Sequence, residues 1–241
     1  MREPLAELNK SKQNIQTMFA QIAAHYDLIN RLMTFGQDIN WRREVIRLTD
    51  LPSNGWLLDL GTGTGDLALE TKRQFPTSRV VGLDFTKSML EIADNRSRRD
   101  RFHPTPLWLT SDALSIPCKD QTFDAVVSAF FMRNVNRVVL SIREQFRVLK
   151  PGGKIAILDT IPPRNNLISP FIRFHLYKVI PQLGHLISGQ KIAYNYLPQS
   201  TEAFLQPEQL AQRIFRAGFR DISFQRMMFG TIAIHWAQKP V

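Results

Sequence analysis

The chain has a single cysteine, Cys118, among its 241 residues. One thiol excludes an intramolecular disulfide, and it also excludes a metal cluster built from cysteines. The first residues, MREPLAELNKSKQ, lack the apolar run of a signal peptide, and no later stretch offers the roughly 18 apolar residues of a membrane-spanning helix. These absences predict a soluble, cytoplasmic protein.

Acidic residues are missing from Thr160 to Thr201, a stretch that carries four lysines and arginines. Its central part, 166–189, combines aromatic and aliphatic residues with two prolines. Two interpretations stay open for this insertion: a lid packed on the core, or a surface that lies on an anionic membrane. The net charge of +10 is likewise compatible with a merely solvated surface or with an anionic partner.

Seven short apolar runs predict strands, and they cover 56–60, 80–83, 106–110, 123–128, 154–159, 221–226 and 231–236. Segments with apolar residues at three- and four-residue steps alternate with these runs and predict helices. Such alternation predicts an α/β fold with a mostly parallel sheet and helices on both faces. The last two runs flank Gly230 and predict an antiparallel hairpin, which favours a Rossmann-like class I methyltransferase fold over a plain dinucleotide-binding fold.

The most informative motif is LLDLGTGTGDLAL (57–69), where Gly61, Gly63 and Gly65 join the first predicted strand to the first predicted helix. Glycine lets the backbone turn sharply and lets a ligand approach where a Cβ would clash. The spacing G-x-G-x-G differs from the G-x-G-x-x-G of dinucleotide sites. The loop therefore predicts a ligand other than a pyrophosphate.

Polar side chains accompany this loop. Asp59 lies in the apolar strand two residues before it, either as a structural acid or as the neighbour of a ligand ammonium group. Thr64 adds a hydroxyl within the loop. Asp84 ends the second strand roughly 20 residues later, where a carboxylate can accept both ribose hydroxyls. Strand, glycine loop, helix, strand and acid in this order favour S-adenosylmethionine as the cofactor.

Three further residues extend the predicted cofactor site. Asp112 and Ala113 follow the third strand, where an acid can face the exocyclic amine of adenine, although Asp112 also suits a turn. Met89 begins the helix after Asp84 and can pack on the adenine face or in the core.

A single domain is predicted over residues 1–241. Within it we expect a helical N-terminal cap over 1–50 and a cofactor-binding core over 55–160. The insertion then covers 161–200, and a C-terminal helix with two strands covers 201–241. A homodimer is left open.

The sequence SAFFMRNV (128–135) follows the fourth strand, where the methyl acceptor of such enzymes usually lies. It lacks the D/N-P-P-Y/F tetrad with which amino methylases of DNA bases grip a planar amine, so no nucleic-acid partner is expected. Two alternatives remain: a methyltransferase for a soluble small molecule, and an RNA-binding protein that keeps the fold and contacts phosphates through the basic cluster 96–101.

The chain resembles the ubiquinone and menaquinone biosynthesis C-methyltransferases, called UbiE or MenG, over nearly its whole length. The segments that carry the resemblance are FAQIAAHYDLINRLMTFGQDINWRR, LDLGTGTGD, LDFTKSML, FMRNV, FRVLKPGG and YNYLPQS. Tyr26, Asp27, Asn30 and Trp41 match the spacing of the family's first signature. Departures from the family pattern are Ile29, Thr34, Asp38, Ala129 and the triplet 159–161.

The resemblance implies methyl transfer from S-adenosylmethionine to a ring carbon of a polyprenylated quinol. The acceptor would be demethylmenaquinol or a methoxybenzoquinol precursor of ubiquinone, and the family's cofactor contacts fall on Thr64, Asp84, Asp112 and Ala113. Contact with the inner face of the membrane would then be transient and peripheral.

A quinol carbon is nucleophilic when the neighbouring hydroxyl is deprotonated, so the site must accept a proton and align carbon, methyl and sulfur. Neither a metal nor a catalytic nucleophile is required. The catalytic candidates are His25, Tyr26, Asp27 and Arg133, and the substrate-binding candidates are Asn134 and Tyr194. By its ordinary pKa His25 is the natural base, although a single cap histidine is also common as a surface residue. Arg133 can stabilise a quinolate anion.

Overall fold

The protein is described by a computed structural model over residues 12–163, 167, 169–188 and 191–241. Its seven strands are β1 (Trp56–Leu60), β2 (Arg79–Asp84), β3 (Leu107–Thr110), β4 (Phe123–Ala129), β5 (Leu149–Thr160), β6 (Arg220–Met227) and β7 (Ile232–Gln238). They form one sheet in the order β3-β2-β1-β4-β5-β7-β6. Strands β1 to β5 are parallel, and β7 is antiparallel to both of its neighbours. The predicted sheet with its C-terminal hairpin is thereby confirmed.

The described helices are α1 (Lys12–Ile22), α2 (Tyr26–Met33), α3 (Gln37–Arg47), α4 (Asp66–Gln74), α5 (Lys87–Arg99), α6 (Val138–Val148), α7 (Ser169–Phe174), α8 (Ile180–Ser188), α9 (Lys191–Glu202) and α10 (Pro207–Arg216). A π-helical turn over His175–Val179 joins α7 to α8. In the part of the chain described, no helix has both the length and the apolar character needed to cross a bilayer.

Strand β1 shows how the sheet is covered on both faces. Side chains alternate along a strand, and Leu57 packs in one core cluster with residues of α3 and α4. Leu58 and Leu60 face the other way, into a cluster with residues of α6 and α10. All three leucines are fully buried, as expected for a parallel strand covered on both faces. Helix α3 of the predicted cap is thus part of the sheet's core.

Most boundaries lie within a residue or two of the predicted ones, but two differ by more. Helix α5 continues past Asn95 to Arg99, and its last turn contains three arginines, which are favourable at the negative end of a helix dipole. Strand β5 begins at Leu149 and passes through the predicted turn, because Leu149 pairs with Phe123 before the register shifts. The glycines there form an irregularity within the ladder rather than a preceding turn.

The order of the strands places a crevice between β1 and β4. From β1 the chain continues outward through β2 and β3 on one side, whereas β4 and β5 continue on the other. Ligands of open α/β sheets bind outside the carboxyl ends of the strands at such a switch point. Helices α1 and α2 lie over this crevice, and the Gln16 side chain donates to the Phe85 carbonyl at 2.5 Å.

Candidate active site

Three small adjoining cavities of about 80, 40 and 20 Å³ follow the carboxyl ends of β1, β2 and β4. The first and second share Gly61, Asp84, Phe85, Phe131 and Asn134. The second and third share Tyr26, Gly61, Gly63 and Ala129. We call this continuous set of cavities the channel. It contains every cofactor-binding residue predicted from the sequence.

The outer end of the channel has Asp84, Asp112 and Ala113 in its lining. The Asp84 carboxylate accepts the backbone N–H of Gly63 at 2.9 Å through Oδ2 and that of Thr86 at 2.8 Å through Oδ1. Each oxygen keeps acceptor capacity for a hydroxyl. Burial raises the pKa of Asp84, and the backbone donors oppose that rise. The arrangement suits a ribose diol, with Asp112 and Ala113 beyond it.

Two glycines of the loop have different surroundings at the position that a Cβ would occupy. At Gly61 the backbone has φ 69°, and an added Cβ would collide with the Phe131 ring. At Gly63, with φ 55°, an added Cβ would meet nothing within 4 Å, so the space above it is open to the channel. Met89 is buried in the middle cavity beside Asp84.

The inner end of the channel has Asp59 in its lining. Burial raises the pKa of Asp59 to about 7, although the Thr62 hydroxyl at 2.5 Å and the Ala68 N–H at 3.1 Å both donate to its Oδ2. A nearby ammonium group would favour the ionised carboxylate. The buried acid and the open loop at Gly63 therefore fit the amino-acid end of S-adenosylmethionine.

Asp27 joins the cap to the glycine loop. Its carboxylate accepts the Thr64 hydroxyl at 2.7 Å and an Arg96 N–H at 3.0 Å. Arg96 also donates to the Thr64 carbonyl and to Asp66, both at 2.8 Å. Hydrogen bonds thus hold both Asp27 and Thr64 in place at the loop.

A much larger cavity of about 380 Å³ lies on the other side of Phe130. Apolar side chains from α2, the insertion and the β6–β7 connection supply most of its wall, and the polar contributors include Asn30, Arg133, Thr160 and Thr201. A hydrogen bond of 2.8 Å between the Thr160 and Thr201 hydroxyls joins β5 to α9 at this wall. The insertion is thereby one side of an apolar cavity.

Arg133 is the guanidinium in this wall, and it is 6% exposed. Its Nη1 donates to Asp159 Oδ1 at 2.7 Å, and its backbone N–H donates to Asp159 Oδ2 at 3.0 Å. Burial raises the pKa of Tyr26, and the Arg133 charge opposes that rise. Burial likewise raises the pKa of Tyr196, again against Arg133. Two protonated phenols thus lie within the electrostatic reach of one buried cation.

Phe130 separates the large cavity from the channel, since it lines both. Its ring centroid lies 5.3 Å from the guanidinium carbon of Arg42 and 5.8 Å from that of Arg133. Its backbone has φ 55°, a left-handed conformation that is uncommon and costly for a bulky residue. Such backbone strain is typical of functional sites.

The remaining predicted residues lie in different places. His25 is exposed and lines neither the channel nor the large cavity. Asn134 lines the channel, where its Nδ2 donates to the Phe130 carbonyl at 3.2 Å. The side chain of Tyr194 lies outside the described residues. The sequence did not single out Arg42, Asp159 and Tyr196 as site residues, because each of them meets groups that are distant in sequence.

A model of the ubiE/COQ5 methyltransferase family matches residues 7–239. The chain belongs to this family. Membership confirms the prediction of a methyltransferase that uses S-adenosylmethionine.

Individual relatives agree with the family match. The ubiquinone/menaquinone biosynthesis C-methyltransferase UbiE of Desulfotalea psychrophila is 43% identical, over 93% of this chain and 90% of that protein. The demethylmenaquinone methyltransferase of Thermus thermophilus is 42% identical, over 92% of this chain and 100% of that protein.

Solved structures support the fold alone. The [4+2]-cyclase SpnF superposes with a TM-score of 0.71 at 19% identity, covering 95% of this chain and 96% of that one. Phosphoethanolamine N-methyltransferase 2 of Haemonchus contortus, in complex with S-adenosyl-L-methionine, gives 0.65 at 18% identity and covers 84% of this chain and 53% of that one.

Proposed function

We propose that this member of the ubiE/COQ5 family transfers the methyl group of S-adenosylmethionine to a ring carbon of a prenylated quinol, with demethylmenaquinol as the preferred acceptor. The observation that carries the proposal is the apolar cavity of about 380 Å³ that meets the channel at Phe130. A hydrocarbon-rich acceptor suits an apolar wall. A soluble polar acceptor would lose its hydrogen bonds to water against such a wall. Relatives named demethylmenaquinone methyltransferase favour the naphthoquinol ring.

The cofactor supplies an electrophilic methyl group on its sulfonium. The chain must make one ring carbon of the acceptor nucleophilic, which requires negative charge on the neighbouring oxygen. In this proposal Arg133 lowers the pKa of the bound quinol hydroxyl, because a buried cation favours the anionic form. Asp159 fixes the guanidinium through two hydrogen bonds. Arg133 is a stabiliser of the quinolate rather than a base, since it does not titrate.

Tyr26 has the complementary role of a donor. Burial raises its pKa, so its phenol stays protonated at neutral pH and can donate to the second quinol oxygen. Asn134 and the channel face of Phe130 would then separate the ring from the adenosine. The quinol hydroxyl gives its proton to water before the transfer. Afterwards the methylated carbon loses its hydrogen to water as a proton, which restores the aromatic ring.

The test is an incubation with labelled S-adenosylmethionine and a panel of acceptors, followed by mass analysis. The panel holds reduced demethylmenaquinone with a short isoprenoid tail, a reduced methoxybenzoquinone precursor and soluble phenols as controls. Label should enter the naphthoquinol fastest and the soluble phenols at background rate. Methylation of the phenols but of neither quinol would reject the proposed acceptor.

We also propose that the mouth of the large cavity contacts a membrane surface. Phe35, Phe171 and Phe229 line the cavity from three separate elements, and their side chains are 76%, 77% and 76% exposed. Three exposed rings around one cavity place apolar surface next to solvent, and apolar surface of this kind is typical of interaction sites when it is contiguous. A bilayer surface suits them because the tail of the proposed acceptor lies in one.

A further inference from the structure

The channel is lined by several acids but by a single cation among the described residues. Its carboxylates are Asp59, Asp66, Asp84 and Asp112, and its cation is Arg42. Arg42 lies at the inner end, in the same small cavity as Asp59 and the glycine loop. The amino-acid end of S-adenosylmethionine, which is expected at this end, carries an ammonium group and a carboxylate.

The guanidinium of Arg42 is buried, with a side chain that is 6% exposed. One of its ends donates to the fully buried Asp38, and its Nη2 lies 3.3 Å from Asp66 Oδ2. Its Nε is also buried, and it has no hydrogen-bond partner among the residues that the structure describes. A buried donor on a charged group is costly when it stays unpaired. Arg42 lines the inner cavity of the channel, and a ligand acceptor bound there would supply the partner that this N–H lacks.

Two neighbours hold Arg42 in this position. Asp38 also accepts from Arg31 and from the Thr34 hydroxyl, and Asp66 lies 2.8 Å from Arg96. Asp59 lines the same cavity, and its hydrogen bonds from Thr62 and Ala68 both reach Oδ2. Asp59 and Arg42 together thus present an acceptor and a cationic donor to one small space.

We propose that Arg42 binds the carboxylate of the methionine portion of the cofactor through Nε, while Asp59 receives the ammonium group. This inference rests on the cofactor of the family and not on the acceptor named in the proposed function. Arg42 belongs to α3 of the cap and Asp59 to β1 of the sheet. The amino acid of the cofactor therefore bridges the cap and the sheet, and Arg42 distinguishes ligands that carry the carboxylate from ligands that lack it.

The experiment is equilibrium binding by calorimetry with three ligands. They are S-adenosylhomocysteine, its decarboxylated analogue, which keeps the ammonium group, and methylthioadenosine, which lacks the amino acid. Arg42→Met should weaken S-adenosylhomocysteine roughly 10- to 100-fold, because a hydrogen bond to a charged group is lost. It should change the affinity of the other two ligands by less than about threefold.

Arg31→Met is the matched control, because Arg31 pairs with the same two aspartates but does not line the channel. It should leave the preference for S-adenosylhomocysteine over the decarboxylated analogue unchanged. Arg42→Lys keeps the charge without Nε and should retain part of that preference. Should Arg42→Met fail to fold, Arg42→Lys and the preference of the wild-type protein decide the question.

Equal weakening of all three ligands by Arg42→Met would show a merely structural role and overturn the inference. A wild-type protein that binds S-adenosylhomocysteine and its decarboxylated analogue equally would do the same. Tight, carboxylate-selective binding without methylation of any quinol would reject the proposed acceptor and leave the role of Arg42 standing.

Discussion

Replacing Asp59 by asparagine should stabilise the ligand-free protein, and the gain should grow with pH. The Asp59 side chain is 1% exposed, and both hydrogen bonds to its carboxylate reach the same oxygen. An amide oxygen can take the place of that oxygen and accept from Thr62 and Ala68. The substitution therefore removes a titrating charge while it keeps the two hydrogen bonds.

The sign follows from the raised pKa of Asp59. Burial raises it from the ordinary 3.8 to about 7, so the folded state binds more protons than the unfolded state between these values. The contribution of Asp59 to stability is fully present below about pH 4 and is lost as the pH rises through about 7. At about 1.4 kcal/mol per pH unit the full loss is roughly 4 kcal/mol, of which about 3 kcal/mol falls between pH 5 and pH 8.

The assay is urea unfolding of both proteins at pH 5, 6, 7 and 8, with the free energy of unfolding as the readout. The difference between Asp59→Asn and wild type cancels the titration of all other groups. It should increase by about 3 kcal/mol from pH 5 to pH 8 and level off above about pH 7.

Asp66→Asn is the control, because the pKa of Asp66 is shifted in the opposite direction from that of Asp59. Burial alone would raise the pKa of Asp66, but Arg42, Arg96 and Arg31 outweigh burial and lower it. The stability that this carboxylate contributes is lost only below about pH 4. Its asparagine variant should show a deficit that stays constant from pH 5 to pH 8. A difference for Asp59→Asn that is equally constant would refute the reasoning.

Three further predictions concern the channel, the cavity and the glycine loop. Asp84→Ala should weaken S-adenosylhomocysteine binding by about tenfold or more, since hydrogen bonds to a carboxylate are lost. Arg133→Met should spare that binding in calorimetry and slow quinol turnover roughly 100-fold. Equal losses of cofactor affinity in both variants would contradict this division of roles. Liposome flotation should show binding to vesicles with anionic lipid that weakens when Phe35 and Phe229 are both changed to serine, and binding that ignores both changes would contradict the proposed membrane surface. Gly61→Ala should lower the free energy of unfolding by about 1–3 kcal/mol, because its left-handed backbone and the Phe131 ring leave no room for a Cβ; an unchanged urea midpoint would argue against that crowding.

The sheet and the channel could be predicted because their signals are local in sequence. Asp59, the glycines and Asp84 lie within 30 residues, and the fold places the carboxyl ends of adjacent parallel strands side by side. The alternation of strands and helices determined the sheet in the same way. Boundaries such as the start of β5 depended on pairing with a distant strand, which periodicity does not show.

The polar contacts around the large cavity could not be predicted in this way. Arg133 and Asp159 are 26 residues apart, and Tyr196 comes near them only when the insertion folds over the end of the sheet. Arg42 is one of several arginines in its segment, and nothing in the sequence singles out the one whose Nε is buried. Asp27 was predicted as a catalytic candidate from the family signature, but its bonds to Thr64 and Arg96 favour a role in holding the cap on the glycine loop.

The most direct test of the central claim compares reduced and oxidised demethylmenaquinone as acceptors for a deuterated methyl group. The reduced form should gain one CD₃ group on a ring carbon and lose one ring hydrogen, and the oxidised form should stay unmodified, because only the quinol can carry the negative charge that Arg133 stabilises. Transfer to an oxygen of the quinol, or equal transfer to both forms, would contradict the proposed methylation of a quinol carbon.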